Sequence, residues 1–210
     1  LKETVLRLRD TGVVVRDVEF LPLAADTTAD DWLPALESGA ALGATCITVA
    51  GADPDRARLQ DTLTRLSRDA AEYGMRAVLE PISYQPVSGV AEAADLARST
   101  GSAVMLDPLH IQRGGSSLLE VRALTADLVP VLQLCDAPRS EPWSAEGRIS
   151  ALQHEARQER LIVGQGQLPL GELLAAAPAG TPVSIEIPHA AHQARMSPSA
   201  WAVRNLRAAQ

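Results

Sequence analysis

Short apolar runs alternate with amphipathic stretches along most of the chain, and this alternation predicts the secondary structure. Between Arg56 and Tyr73, for example, Leu59, Leu63 and Leu66 recur at helical spacing, and Gly74 follows before the next apolar run begins. Repeated succession of helix, glycine and short strand is typical of right-handed strand–helix–strand units, which build a parallel sheet.

Six strands and eight helices are predicted from this pattern. The strands are expected within the apolar runs Val13–Phe20, Thr45–Ala50, Met75–Pro81, Ser102–Asp107, Val129–Asp136 and Pro182–Pro188. The helices are expected at 1–11, Ala29–Leu42, Arg56–Tyr73, Val90–Arg98, Ser117–Leu128, Ile149–Arg160, Leu170–Ala177 and Pro198–Ala209, with Asp30 or Asp31 capping the second.

Four of the predicted strands carry an oxygen-bearing side chain near the C-terminal end: Glu80, Asp107, Gln133 and Glu186. The spacing is 27 residues from Glu80 to Asp107 and 26 from Asp107 to Gln133, close to one strand–helix unit each. Because parallel strands end at the same edge of a sheet, we expect these side chains to form one site.

Two architectures are compatible with this order of elements. A doubly wound sheet usually has a glycine-rich phosphate loop after its first strand, and no such loop follows Phe20. A (β/α)8 TIM barrel instead collects single residues from the C-terminal ends of many strands, as here. We therefore predict a single domain over residues 1–210, a TIM barrel that lacks its first two strand–helix units at the N terminus.

The composition narrows the classes of function. Apolar residues make up 46% of the chain, which is typical of a globular domain, and the net charge of −7 disfavours a nucleic-acid groove. No apolar run approaches the length of a membrane span, so a cytoplasmic protein without membrane contact is expected. Cys46 and Cys135 lie inside apolar runs and are predicted to be reduced core thiols.

The strand-end residues suggest a metal centre. A carboxylate in an apolar wall is costly unless it is paired or bound to a metal, although a single acid at a strand end can also be solvated or cap a helix. Two glutamates, one aspartate and one amide are all oxygen ligands, which favours Mn²⁺ or Mg²⁺, with Co²⁺ and Zn²⁺ as alternatives.

Other polar residues near these strand ends have two interpretations each. His110 follows Asp107 by three residues and is either a substrate contact or a packed residue. Arg139 is either a clamp for an anion or hydroxyl over the pocket or a solvated loop residue. Glu19 lies in a predicted strand, and its side chain points either into the barrel or away from it. Arg157 and Arg160 are assigned to a helix face.

Five short motifs resemble those of the sugar phosphate isomerase/epimerase superfamily of xylose-isomerase-like TIM barrels. They are Leu79–Pro81, Asp107–His110, Leu132–Pro138, Gly164–Leu170 and Ser184–Pro188, and the likeness covers about residues 10 to 190. The superfamily includes ketose 3-epimerases, hydroxypyruvate isomerases, inosose isomerases and dehydratases, and endonuclease IV repair enzymes.

The resemblance implies roles for particular residues. By this resemblance, one divalent metal ion is bound by Glu80, Asp107, Gln133 and Glu186. Glu80 and Glu186 are also the catalytic acid/base pair. His110 and Arg139 contact substrate. The chain departs from the usual pattern twice. Gln133 stands where the epimerases usually have histidine, which bears on metal preference, and Gly164–Gly166 contains glutamine where glutamate is usual.

The resulting functional hypothesis is a divalent-metal-dependent isomerase or epimerase of a small sugar or sugar-like ketone. Carboxylates would transfer the proton through a metal-stabilised enediolate. The alternative is a dehydratase of a cyclic polyol ketone, such as an inosose or dehydroshikimate, at the same site. The expected partner is a small carbohydrate-like substrate; a homo-oligomer and a non-catalytic ligand-binding fragment stay open, and DNA repair is disfavoured by the acidic charge.

Overall fold

A computed structural model describes residues 1–210. Its six strands are β1 (Asp17–Leu23), β2 (Cys46–Gly51), β3 (Arg76–Glu80), β4 (Ala103–Leu106), β5 (Val131–Leu134) and β6 (Val183–Ile185). Its helices are α1 (Lys2–Thr11), α2 (Ala29–Leu42), α3 (Arg56–Glu72), α4 (Val90–Thr100), α5 (Pro108–Gly114), α6 (Leu118–Arg122), α7 (Arg148–Gln158), α8 (Leu170–Ala176), α9 (Ala190–Gln193) and α10 (Pro198–Ala208).

The strands form one parallel sheet in chain order, from β1 to β6. Successive parallel strands joined through helices give the topology of a (β/α) barrel, and the six strands here form part of one. The predicted fold class is therefore confirmed.

Strand alternation separates an inner from an outer face of this sheet. Val78 and Met105 belong to a small inner cluster, whereas Leu79 and Leu106 belong to the large cluster that packs against the helices. Because successive side chains in a strand point to opposite faces, Glu80 lies on the same face as Val78. Polar residues near the strand ends thus face the barrel interior while the apolar layer holds the helices outside.

The bounds of α2 are those predicted, but its N-cap residue is not. The N-cap of α2 is Thr28, and Asp31 accepts a hydrogen bond of 2.8 Å from the Thr28 backbone N–H, so neither Asp30 nor Asp31 is the cap. Gly43 ends the same helix in the left-handed conformation, at φ 80°. The sequence pattern predicted the bounds of α2 correctly because the residues that begin and end it, Thr28 and Gly43, are adjacent to the helix in sequence.

Longer-range packing explains two further differences. The predicted helix Ser117–Leu128 is shortened to α6, because Leu124 and Leu128 enter the outer core from a turn instead. Strand β1 begins at Asp17, and Val14 is 85% exposed instead of forming its start.

The structure also bears on the state of the cysteines and on the presence of membrane-spanning helices. Both cysteines are buried and free, as predicted. No helix combines the length and the apolar character that a membrane crossing requires.

Candidate active site

A cavity of about 330 Å³ lies at the C-terminal ends of the strands, where a (β/α) barrel carries its functional residues. Its volume is within the range of small-molecule sites. Seven of the side chains that line it carry ionisable groups: Glu19, Glu80, Tyr84, His110, Arg157, Arg160 and Glu186.

Glu80 is the last residue of β3 and is only 5% exposed. Its Oε1 atom is buried and has no hydrogen-bond partner. Burial, followed by the nearby charges of Asp107 and Glu186, raises the pKa of Glu80 well above its ordinary value. A buried carboxylate oxygen without a donor is prepared to receive a proton or to bind a cation.

Asp107 directly follows β4 and is the N-cap of α5. Its Oδ1 accepts hydrogen bonds from the backbone N–H groups of Leu109 at 2.7 Å and His110 at 3.2 Å, and its Oδ2 accepts one from Arg160. Burial alone would raise the pKa of Asp107, but the Arg160 guanidinium and the backbone N–H of His110 hold it below its ordinary value. Asp107 is therefore ionised at neutral pH.

His110 is buried, at 2% exposure, and its side chain lines the cavity. Its Nδ1 lies 3.1 Å from Ser83 Oγ, and its Nε2 lies 3.9 Å from Glu80 Oε1. Burial lowers the pKa of His110 to about 4, and the Arg160 charge acts in the same direction. The imidazole is thus neutral at pH 7 and offers one donor and one acceptor.

Gln133 lies in β5 and is 3% exposed. Its Nε2 donates a hydrogen bond of 2.9 Å to Glu19 Oε1, which leaves Gln133 Oε1 buried and without a partner. Burial, together with Asp17, raises the pKa of Glu19 to about 8. Glu19 thus lines the cavity at the barrel interior, which is one of the two orientations that the sequence left open.

Glu186 directly follows β6 and is the most accessible of the three strand-end carboxylates, with its side chain 38% exposed. Its Oε2 lies 2.9 Å from a guanidinium nitrogen of Arg160. Burial raises the pKa of Glu186, while Arg160 opposes that rise.

Arg160 contacts most of these groups and does not belong to a solvated helix face. Helix α7 ends at Gln158, and Arg160 is only 3% exposed. Besides Asp107 and Glu186, its guanidinium approaches His110 Nε2 at 3.4 Å. The assignment to a helix face was wrong because these partners are distant in sequence.

Arg157 and Arg139 differ in their position relative to the cavity. Arg157 lines the cavity, with its guanidinium 5.8 Å from the centre of the Tyr84 ring. Arg139 is exposed and is not among the residues that line the cavity. Its backbone N–H donates to Gln167 and its carbonyl accepts from Arg113, so this segment of loop is tied to other parts of the chain.

Asp136, close to Gln133 in sequence, organises a loop beside the site. Its carboxylate accepts hydrogen bonds from the backbone N–H groups of Ala137, Gly164, Gly166 and Leu168, at distances of 2.8 to 3.1 Å. The glycine motif identified in the sequence is therefore held by this buried aspartate.

The donor set fits a divalent metal ion. Ligand-type atoms of Glu80, Asp107 and His110 lie within 4.8 Å of one another. The unpartnered oxygens of Glu80 and Gln133 are further donors of the kind that a cation satisfies. The structure thus contains a candidate divalent-metal site, built mainly of oxygen ligands, in which Glu186 is a neighbouring carboxylate.

Several solved structures have the same fold as this chain. A xylose isomerase-like TIM barrel/4-hydroxyphenylpyruvate dioxygenase fusion protein shares 21% identity at a TM-score of 0.72, over 88% of this chain. This chain spans only 32% of that fusion protein. The IOLI protein with a bound zinc atom shares 15% identity at a TM-score of 0.77, over 98% of this chain and 78% of that one.

A D-psicose 3-epimerase determined in the presence of D-fructose shares 16% identity at a TM-score of 0.62, over 88% of this chain and 68% of that one. At such identities the likeness establishes the fold alone.

No curated protein is similar enough in sequence to match. The sequence profile described as xylose isomerase-like TIM barrel matches residues 19–208, nearly the whole chain. The chain therefore belongs to the xylose isomerase-like TIM barrel family.

Proposed function

We propose that this protein is a divalent-metal-dependent isomerase or epimerase of a small sugar or sugar-like ketone. The observation that carries the proposal is that two carboxylates, Glu80 and Glu186, line one cavity and that Glu80 Oε1 is buried without a partner. Burial raises the pKa of each, which brings both carboxyl groups closer to neutral pH, where an acid/base catalyst works best.

The proposed reaction begins with loss of the proton on the carbon next to the substrate carbonyl. One carboxylate takes this proton, and the C–H electron pair moves into an enediolate. A second carboxyl group, in its acid form, then returns a proton to the same carbon, which is epimerisation. For isomerisation it returns the proton to the former carbonyl carbon, while the neighbouring hydroxyl becomes the new carbonyl and its proton passes to the former carbonyl oxygen. Atoms and electrons balance without an oxidant or reductant.

A metal ion held by Glu80, Asp107, Gln133 and Glu186 would supply positive charge beside the carbonyl oxygen of the substrate. The oxygen donors favour Mn²⁺ or Mg²⁺, and the adjacent His110 nitrogen extends the range to Zn²⁺ or Co²⁺. We further propose that His110, which lines the cavity and is neutral at pH 7, hydrogen-bonds a substrate hydroxyl or carbonyl oxygen when it does not bind the metal itself.

Solvent-proton exchange tests this function. The protein is incubated in D₂O with a panel of ketoses and with Mn²⁺, Mg²⁺ or Co²⁺, and deuterium incorporation next to the carbonyl is followed by NMR. We expect incorporation that needs metal and that falls about 100-fold or more in Glu80→Gln and Glu186→Gln. The exposed Glu172→Gln on α8 is the control and should retain wild-type exchange.

Two results would contradict the proposal. One is the absence of exchange on the whole ketose panel with every metal. The other is unchanged exchange in both Glu80→Gln and Glu186→Gln when both variants are folded.

A dehydratase is the second candidate, and the raised pKa of both glutamates favours it as well. In that reaction a carboxylate still takes the proton next to the carbonyl, but the second carboxylic acid protonates a departing hydroxyl and water is released. Incubation with an inosose or dehydroshikimate distinguishes the two, because only the dehydratase gives a product that is lighter than the substrate by one water, which mass spectrometry detects.

A further inference from the structure

Arg160 occupies a position that a metal ion would also seek. Its guanidinium is within hydrogen-bond distance of Asp107 Oδ2, lies 2.9 Å from Glu186 Oε2 and approaches His110 Nε2 at 3.4 Å. Two of these residues, Asp107 and Glu186, are carboxylates of the proposed metal-binding set. A divalent cation and a guanidinium have the same preference for carboxylate oxygens.

The competition is sharpest at Asp107. Its Oδ1 already accepts from two backbone N–H groups of α5, so Oδ2 is the oxygen left for a cation. Arg160 holds that oxygen, and an arginine cannot release its charge by losing a proton. A metal ion can take Oδ2 only if the guanidinium moves or shares it.

The position of Arg160 is itself supported by the fold. Its Nε donates to the Ala156 carbonyl at 2.8 Å, and its backbone N–H donates to the Pro188 carbonyl. The side chain is therefore anchored at its base, whereas the end of the guanidinium depends on the carboxylates. Because the guanidinium is a rigid plane, movement of its end away from the carboxylates also turns the Nε–H away from the Ala156 carbonyl, so a metal ion has to displace the group as a whole.

We propose that Arg160 is an internal cation that competes with a divalent metal ion for Asp107 and Glu186, and thereby sets the metal affinity of this site. It is a positioning residue, since without metal it holds these two carboxylates together. The inference rests on the proposed function only in assuming that a divalent ion enters the cavity.

The experiment measures metal binding by isothermal titration calorimetry with MnCl₂ on the metal-free protein, and thermal unfolding with and without Mn²⁺. In Arg160→Gln, we expect Mn²⁺ to bind at least about tenfold more tightly than in the wild type, because the competing charge is gone. The metal-free variant should also melt at a lower temperature, since Asp107 loses its partner, while Mn²⁺ should raise its melting temperature more than it raises that of the wild type.

Arg157→Gln is the matched control. Arg157 lies three residues earlier in the chain, in α7, and lines the same cavity, but it forms no ion pair with these carboxylates. It removes the same charge from the same region, so its Mn²⁺ affinity should rise less than that of Arg160→Gln. Should Arg160→Gln fail to fold, Arg160→Lys keeps the charge without the fork that spans both carboxylates, and it should also bind Mn²⁺ more tightly than the wild type.

Equal or weaker Mn²⁺ binding in the folded Arg160 variants would overturn the inference and leave the proposed function standing. An increase of the same size in Arg157→Gln would also overturn it, because a general charge effect would explain the result. Absence of binding in every variant would contradict both this inference and the metal dependence of the proposed function.

Discussion

The side-chain amide of Gln133 donates a hydrogen bond of 2.9 Å to Glu19 Oε1, across the 114 residues that separate the two in sequence. This bond fixes the orientation of the amide, because its nitrogen faces Glu19 and its oxygen remains free toward the barrel interior. Residues that orient a metal ligand usually influence affinity as strongly as some ligands do.

Loss of this orientation should weaken metal binding. We predict that Glu19→Leu lowers the affinity for Mn²⁺ by about 10-fold to 100-fold, because the Gln133 amide is then free to turn. Glu19→Gln is the matched variant, since its amide oxygen can still accept the hydrogen bond, and it should retain most of the affinity. Calorimetric titration of both variants measures the difference, and equal affinities in the two would argue against an orienting role for Glu19.

The metal-free protein should lose stability as the pH rises from 6.5 to 8. The pKa of Glu19 is raised from 4.5 to about 8, so its ionisation is disfavoured in the folded state and folding weakens as the pH rises through that interval. His110 acts in the opposite sense only at lower pH: its pKa is lowered from 6.5 to about 4, so stability is lost as the pH falls from 6.5 toward 4. Above 6.5 the raised acids dominate.

Melting temperatures recorded in EDTA between pH 6.5 and 8 test this dependence. The wild-type value should fall with pH, and the fall should be smaller in Glu19→Gln. Glu37→Gln, on the exposed face of α2, should follow the wild type. A melting temperature that is flat in the wild type would be inconsistent with the raised pKa of these acids.

A buried ion pair between α5 and α7 should contribute strongly to stability. The side chains of Arg113 and Glu155 are 1% and 4% exposed and lie 2.7 Å apart, and Arg113 also donates to the carbonyl groups of Pro138 and Arg139. Glu155→Ala leaves a buried charge without its partner and should lower the free energy of unfolding by about 3–5 kcal/mol.

Urea unfolding provides the measurement, and the exposed pair Arg148–Glu141 provides the comparison. That pair is 2.9 Å apart, but both side chains are 50% exposed. Glu141→Ala should therefore change the free energy of unfolding by less than about 1 kcal/mol. Equal effects in the two variants would mean that burial does not govern the Arg113–Glu155 pair.

A side chain at Gly166, in the loop that Asp136 holds, should destabilise the protein. A Cβ atom there would lie 2.3 Å from Asp136 Oδ1 and 2.5 Å from the Ala137 carbonyl oxygen. We predict that Gly166→Ala lowers the free energy of unfolding by about 1–3 kcal/mol. In contrast, Gly171 in α8 has open space, and Gly171→Ala should stabilise the protein by about 0.5–1 kcal/mol. Thermal melts of both variants would refute this contrast if they shifted in the same direction.

The residues that could be predicted from the sequence are those whose position depends on local pattern. Alternation along β3 and its following proline place Glu80 at a strand end, and the same reasoning places Asp107 and Gln133. The helix α5 was not predicted, although aspartate followed by proline is a recognised helix start and would have indicated it.

The residues that escaped prediction depend on contacts between distant segments. Helical spacing extended α7 to Arg160, but this arginine is separated from Asp107 by 53 residues and from Glu186 by 26. No local pattern marks such a pair. Arg139 shows the converse case, because proximity to Gln133 in sequence suggested the pocket and the loop leads it to the exposed surface.

Asp107 performs two tasks with one short side chain, since it caps α5 and pairs with Arg160. Asparagine at this position can cap the helix but has no charge for the arginine, and glutamate keeps the charge but is a poorer cap. Aspartate therefore meets both structural demands at this position, the helix cap and the ion pair. Glu80 caps no helix and its Oε1 has no hydrogen-bond partner, so we expect Glu80→Gln to change the charge of the cavity with little effect on the fold.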